Sequence, residues 1–351
     1  MSIINFELEE VSKICSNVVS CSKIIACNQS LVRVDIKQTE SRQLTVCLRF
    51  PNNYPDYHVL VEFKSRTLSA KFLDGLTNLS EQKAREVLGK PQIIHVLKFV
   101  GQYLTENPLC VVFDEIFALK QLLKDAADLK LKQKVSSVVL IARGGKYFFK
   151  LKVEVPEDYP KNCINWKEYE SNLPAVLLRY LSGQSKEIAR QCVEPPLNPK
   201  KKGESFIPRP SLLKSLQFIV EATAGFADEK CPICNGAVLP EQPENVVKEE
   251  ADPLFIERVY CGHLYHQGCL KKFMHEPPFP VGGKVCPAHK KHPRPDSVRG
   301  LNSAGKNAGK PTSSTSAKGE KTCGILLAHD RWVVNVKVAE ARWAQKQARE
   351  R

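Results

Sequence analysis

The sequence predicts an α+β protein: two helix-and-sheet domains built to one plan, followed by a small module folded around metal. Three observations carry that expectation. Two strands lying a domain's length apart end in the same Pro-x-x-Tyr-Pro signature. Each strand is preceded by an amphipathic helical stretch and an earlier strand. Beyond residue 230, seven cysteines and histidines follow one another at metal-ligand spacing.

The repeat begins with LTVCLRFPNNYP (44–55) and FKLKVEVPEDYP (149–160). In the first, Leu44, Val46, Leu48 and Phe50 alternate with Thr45, Cys47 and Arg49; in the second, Phe149, Leu151, Val153 and Val155 alternate with Lys150, Lys152 and Glu154. A period of two marks a half-buried strand. Tyr54 and Tyr159 are 105 residues apart, a domain-sized offset that points to duplication. Upstream, Leu8, Val11, Cys15 and Val18 form one helical stripe, and Ile116, Leu119, Leu123 and Ala126 the other. An earlier strand follows each: Val32, Val34 and Ile36 in the first copy, SSVVLIA (136–142) in the second, with Gly144-Gly145 as a hairpin turn. HVLVEF (58–63) and CINWKEY (163–169) supply another extended piece, and helices close each copy. Pro91 is placed to open the helix through Ile93, Leu97, Val100 and Leu104, and Leu212, Leu213, Leu216, Ile219 and Val220 line the other.

Helix, antiparallel meander, Tyr-Pro corner, then helices: this order resembles the RWD domain, a relative of ubiquitin-conjugating enzymes. Two such domains would occupy residues 1–108 and 109–226. Neither copy carries the second proline of the family's Tyr-Pro-x-x-x-Pro. Catalysis of the conjugating type needs a nucleophilic cysteine beside an oxyanion-stabilising Asn. No His-Pro-Asn occurs, and Cys163 lies only a few residues past Tyr159. Cys163 and Cys192 therefore read as buried structural thiols, and both copies as binding modules. The stretch EPPLNPKKKGESFIPRP (194–210) reads as a solvated linker.

The metal module contains Cys231-Pro-Ile-Cys234, then Cys261-Gly-His263-Leu-Tyr-His266-Gln-Gly-Cys269, then Cys286-Pro-Ala-His289. Tetrahedral Zn²⁺ takes four thiolate or imidazole ligands per site. The spacing resembles a cross-braced RING finger of the two-histidine type, spanning 227–335. That resemblance implies two zinc ions: one on Cys231, Cys234, His266 and Cys269, the other on Cys261, His263, Cys286 and an eighth ligand. Residues 289–322 are rich in Gly, Ser and Lys without an apolar period, and read as a disordered basic insert. Skipping it restores a Cys286-Pro-Ala-Cys323-Gly knuckle. His289 and Cys323 thus compete for the eighth position; His289 has proximity, Cys323 thiolate affinity and the following glycine. Closing so long a loop adds only about 0.6 kcal/mol per doubling of its length.

The resemblance also implies a surface for a ubiquitin-conjugating enzyme, formed by Ile233 in the first knuckle, Phe273 past the sixth ligand and Pro287 in the last knuckle. Lys290 would add a basic linchpin if His289 is the ligand. The expected activity is that of a RING-type ubiquitin ligase, an E3 ubiquitin-protein transferase with no covalent intermediate, whose RWD pair recruits a protein substrate or complex partner. The alternative is a non-catalytic zinc scaffold subunit.

Composition limits the other classes. The chain has 351 residues, 42% hydrophobic and 26% charged, as globular proteins do. No apolar run approaches the roughly 20 residues that span a bilayer, so no membrane partner is expected. The acidic start MSIINFELEE lacks a secretory pattern, and thirteen cysteines then read as reduced thiols or ligands in a cytoplasmic or nuclear protein. Net charge is +14, but residues 282–321 hold nine Lys or Arg against Asp296 and Glu320, an excess of seven, which is half the total. A solvated basic loop accounts for this better than a nucleic-acid surface. The last residues, 336–351, read as a basic helix.

Overall fold

The structure, a computed structural model, describes residues 3–123, 127–196, 206–280, 283–288, Cys323, Leu327 and 336–350. It is mixed α and β with antiparallel sheets. The first copy runs α1 (Ile3–Val18), β1 (Ser22–Asn28), β2 (Leu31–Lys37), β3 (Gln43–Arg49), β4 (Leu60–Lys64), α2 (Ala70–Arg85) and α3 (Ile93–Glu106). The second runs α4 (Phe113–Leu123), β5 (Ala127–Lys132), β6 (Ser137–Gly144), β7 (Tyr147–Glu154), β8 (Asn165–Ser171), α5 (Ala175–Val193) and α6 (Leu212–Phe226). Helix, four-stranded meander and two helices therefore occur twice in the same order. Each sheet has its strands in sequence order, β1-β2-β3-β4 and β5-β6-β7-β8. Two short strands, β9 (Ile256–Arg258) and β10 (Leu264–His266), then lead into α7 (Gln267–His275), and α8 (Val336–Glu350) ends the described chain.

The expected strands fall on β2, β3, β4 and on β6, β7, β8. Two more, β1 and β5, were not foreseen; β1 pairs with β2 across an irregular register, between Ile24 and Ala26, which blurs its period. Alternation does the work predicted for it except at Cys47, which was expected to face outward and is buried. Val32, Val34 and Ile36 on β2, and Leu44, Val46 and Leu48 on β3, are buried together against Val11 and Cys15 of α1 and Val96, Leu97, Val100 and Leu104 of α3. Val18 departs from the predicted stripe, since it ends α1 and is exposed. Cys192 is buried as expected, whereas Cys163 is only half-buried because it follows the second corner directly.

The chain forms two compact units. One comprises residues 1–142, 149–170 and 184–220; the other comprises 143–148, 171–183 and 221–351.

Within the first unit, each Tyr-Pro corner is tied to a glutamate on the opening helix of its copy, buried Glu7 in the first and half-buried Glu115 in the second. Glu7 accepts hydrogen bonds from the Tyr54 hydroxyl and from the Gln92 and Ile93 amides at the start of α3. Glu115 accepts from the Tyr159 hydroxyl at 2.6 Å and the Leu213 amide at 2.9 Å at the start of α6. The Tyr159 oxygen in turn accepts from the Ser211 and Leu212 amides. A helix begins with amides that have no helical partner, so a carboxylate there satisfies both donors and dipole. Burial pushes both carboxyls above their ordinary value, against the pull of these donors. Both Tyr-Pro peptide bonds are cis.

In the second unit, β6 ends at Gly144 beside α6. A Cβ on Gly144 would stand 2.1 Å from the Thr223 carbonyl oxygen, so no other residue fits there. The Tyr147 hydroxyl donates to the Pro240 carbonyl at 2.8 Å, and the Arg258 guanidinium lies 3.7 Å from the Tyr180 ring centroid. The Cys/His module is thus seated on the hairpin tip and the first turns of α5. None of the described helices is long and apolar enough to cross a membrane.

Candidate metal centre

Four short pieces of chain supply the donors. The first is a tight knuckle in which the Cys231 amide donates to Gly236 O at 2.9 Å and the Asn235 amide returns to Cys231 O at 2.8 Å. That ring presents Cys231 and Cys234 side by side. The second is the turn joining β9 to β10, where Gly262 at φ +95° lets Cys261 and His263 project toward one point. The third is the junction of β10 with α7: His266 ends the strand and Cys269 lies in the first helical turn. The fourth is Cys286, in the extended segment after α7, together with Cys323. The Cys323 amide donates to Ala288 O at 2.7 Å and the Leu327 amide to Lys284 O at 3.0 Å, which ties these two residues to the segment that carries Cys286.

These pieces gather into two groups, Cys231, Cys234, His266 and Cys269, and Cys261, His263, Cys286 and Cys323. Within each, the donor atoms lie within 4.8 Å of one another. Donors about 2.0–2.3 Å from a tetrahedral centre stand roughly 3.3–3.8 Å apart. The observed separations agree: His266 Nδ1 is 3.4 Å from Cys234 Sγ and 3.9 Å from Cys269 Sγ. His263 Nδ1 is 3.2 Å from Cys261 Sγ and 3.4 Å from Cys286 Sγ. His266 Nε2 lies 3.0 Å from Ala237 O and donates to it, which leaves Nδ1 as the lone-pair nitrogen facing the sulfurs. Each group can therefore hold one metal ion on three thiolates and an imidazole, a set that suits Zn²⁺.

Among the described residues, the fourth donor of the second group is Cys323. His289 and Lys290 lie outside the described residues. So does the rest of the basic insert, 289–322.

Electrostatics distinguish the thiols. The Cys261 thiol, then His263 and Tyr265, hold Cys286 down to about 4 against the opposing pull of burial, while Cys286, then burial, pushes Cys261 well above the ordinary thiol range. Burial, then Cys234, pushes Cys269 up to about 12. Cys234 sits below the ordinary thiol range; burial opposes this, but the Gly236 amide and the Cys269 and Cys231 thiols outweigh it. Binding a metal displaces the remaining thiol protons, so retention depends on pH.

Ile233, Phe273 and Pro287, the expected protein-contact residues, are each half-buried beside these groups in sequence. Two neighbours were not singled out by sequence reasoning. Lys284 is 8% exposed, donates to the Phe273 and Glu276 carbonyls at the end of α7, and stands 4.7 Å from the Phe273 ring centroid. It caps that helix and braces Phe273. Tyr265 is fully buried, with its hydroxyl 2.9 Å from Cys286 Sγ. Burial, then Cys286, pushes that hydroxyl well above the ordinary phenol range. A lone Lys before a knuckle and a Tyr between two histidines carry no periodic signal.

No protein-family model and no curated protein matches this chain.

Proposed function

We propose that the chain is a RING-type ubiquitin ligase whose two four-donor groups bind Zn²⁺. One observation carries the reading: numbered along the chain, the first, second, fifth and sixth donors form one group and the third, fourth, seventh and eighth the other. Interleaving of this kind is the cross-brace of RING fingers, and it makes each ion a staple between segments distant in sequence. When bound, zinc supplies folding free energy of about 10–16 kcal/mol per site and no reaction chemistry.

In this reading Ile233, Phe273 and Pro287 dock a ubiquitin-charged conjugating enzyme, with Lys284 bracing Phe273. The ligase forms no covalent intermediate. Holding the charged enzyme in a reactive geometry lets a substrate lysine attack the thioester. The repeated α+β copies at 1–108 and 109–226 act as RWD-type recruiting modules, and the zinc module occupies 227–335. The order of these parts resembles that of the ubiquitin ligase of the Fanconi anaemia core complex, and the likeness is one of order alone. With Cys323 as the eighth ligand, Lys290 is not placed as a linchpin.

Autoubiquitination by the purified, zinc-loaded chain across a panel of conjugating enzymes tests the reading. Activity that Ile233→Ala abolishes while two zinc ions remain supports it; a chain inert with every enzyme is the non-catalytic zinc scaffold instead.

A further inference from the structure

Between the two donor groups lies a buried phenol that takes no part in ligation. Tyr265 stands on β10 between His263, a donor of the second group, and His266, a donor of the first. It is 0% exposed, and its oxygen is 2.9 Å from Cys286 Sγ. A phenylalanine would fill the same core volume, so the hydroxyl needs its own explanation.

Once Cys286 ligates a metal it is a thiolate and has no proton to give, so the hydroxyl is the donor. A hydrogen bond to an ionised acceptor is roughly twice as strong as a neutral one. It spreads the sulfur's charge and occupies a lone pair that solvent protons would otherwise attack. The first group is built differently: Cys234 is exposed, and its sulfur takes a hydrogen bond from the Gly236 amide.

We propose that the Tyr265 hydroxyl, by donating to Cys286 Sγ, sets how tightly the second group retains its metal, so that the two groups release metal at different rates. Tyr265 is thus a positioning residue for the ligand and not a ligand itself. The inference rests on the metal-binding part of the reading above and holds whether or not the chain is a ligase.

The test is zinc release from the full zinc-loaded chain to a chromogenic chelator at neutral pH. Wild type is expected to release its two ions in a fast and a slow phase. Groups that orient metal ligands are worth about 10–100-fold in affinity. Tyr265→Phe should therefore speed the slow phase about tenfold or more and leave the fast phase unchanged. A single common rate in wild type, an unchanged slow phase in the variant, or both phases accelerated in parallel overturns the proposal. A second measurement needs no variant. In wild type loaded with ¹¹³Cd, the Tyr265 hydroxyl proton is expected to be protected from exchange and scalar-coupled to one of two cadmium resonances. A hydroxyl that exchanges freely overturns the proposal.

Discussion

At the residue scale, the eighth donor decides what kind of module this is. Cys323 completes the second group although 36 residues separate it from Cys286 in sequence. Cys323→Ala is expected to lower bound zinc from two ions to one, and His289→Ala to leave two, as read by metal analysis of the purified chains. The seven earlier ligands were legible because a knuckle or turn fixes their local spacing. The eighth was legible only as a choice between His289 and Cys323, because a cysteine brought back across a long insert has no local spacing to read. Buried Glu7 escaped sequence reasoning for a similar reason: its partners Tyr54 and Gln92 lie far along the chain. Burial raises its carboxyl above the ordinary 4.5, so the folded chain binds that proton more tightly than the unfolded one. Its contribution to stability is fully present below 4.5 and is lost as pH rises through the raised value. In denaturant titrations, the margin of wild type over Glu7→Gln is expected to shrink as pH rises through that window. A margin that widens would reverse the sign.

At the scale of elements, period-two alternation identified β2, β3 and β7, whose inward residues are buried, while β4, β6 and β8 were read from their place in the repeat. β1 and β5 were missed: β1 carries an irregular register, and β5 shows partial burial on alternate residues (Leu129, Leu131) with only Ala127 buried. The repeat is deeper than the Pro-x-x-Tyr-Pro signature, since each corner tyrosine also meets a carboxylate at a helix start. Gly144 shows how tightly the second copy closes. With the Thr223 carbonyl 2.1 Å from where a Cβ would stand, Gly144→Ala forces β6 and α6 apart. A loss of about 3 kcal/mol is expected in chemical denaturation, the upper range for overpacking. A loss below about 0.5 kcal/mol would show that the two elements separate freely.

At the scale of the molecule, metal and fold are linked inside one compact unit that joins the Cys/His module to the tip of β6–β7 and the start of α5. Tyr147 and Tyr180 take their partners Pro240 and Arg258 from the module. Chelation is expected to raise amide exchange across residues 231–288, then at 143–148 and 175–183, while β2 and β3 keep their protection. Uniform loss of protection would contradict this division. The central claim is tested most directly by single-turnover discharge of a ubiquitin-charged conjugating enzyme to free lysine, with the full zinc-loaded chain added. Discharge is expected to accelerate with at least one enzyme of a panel and to fall about tenfold or more in Ile233→Ala with two zinc ions retained, as loss of a central contact residue predicts. No acceleration by any enzyme, from a chain holding both ions, would contradict the ligase reading.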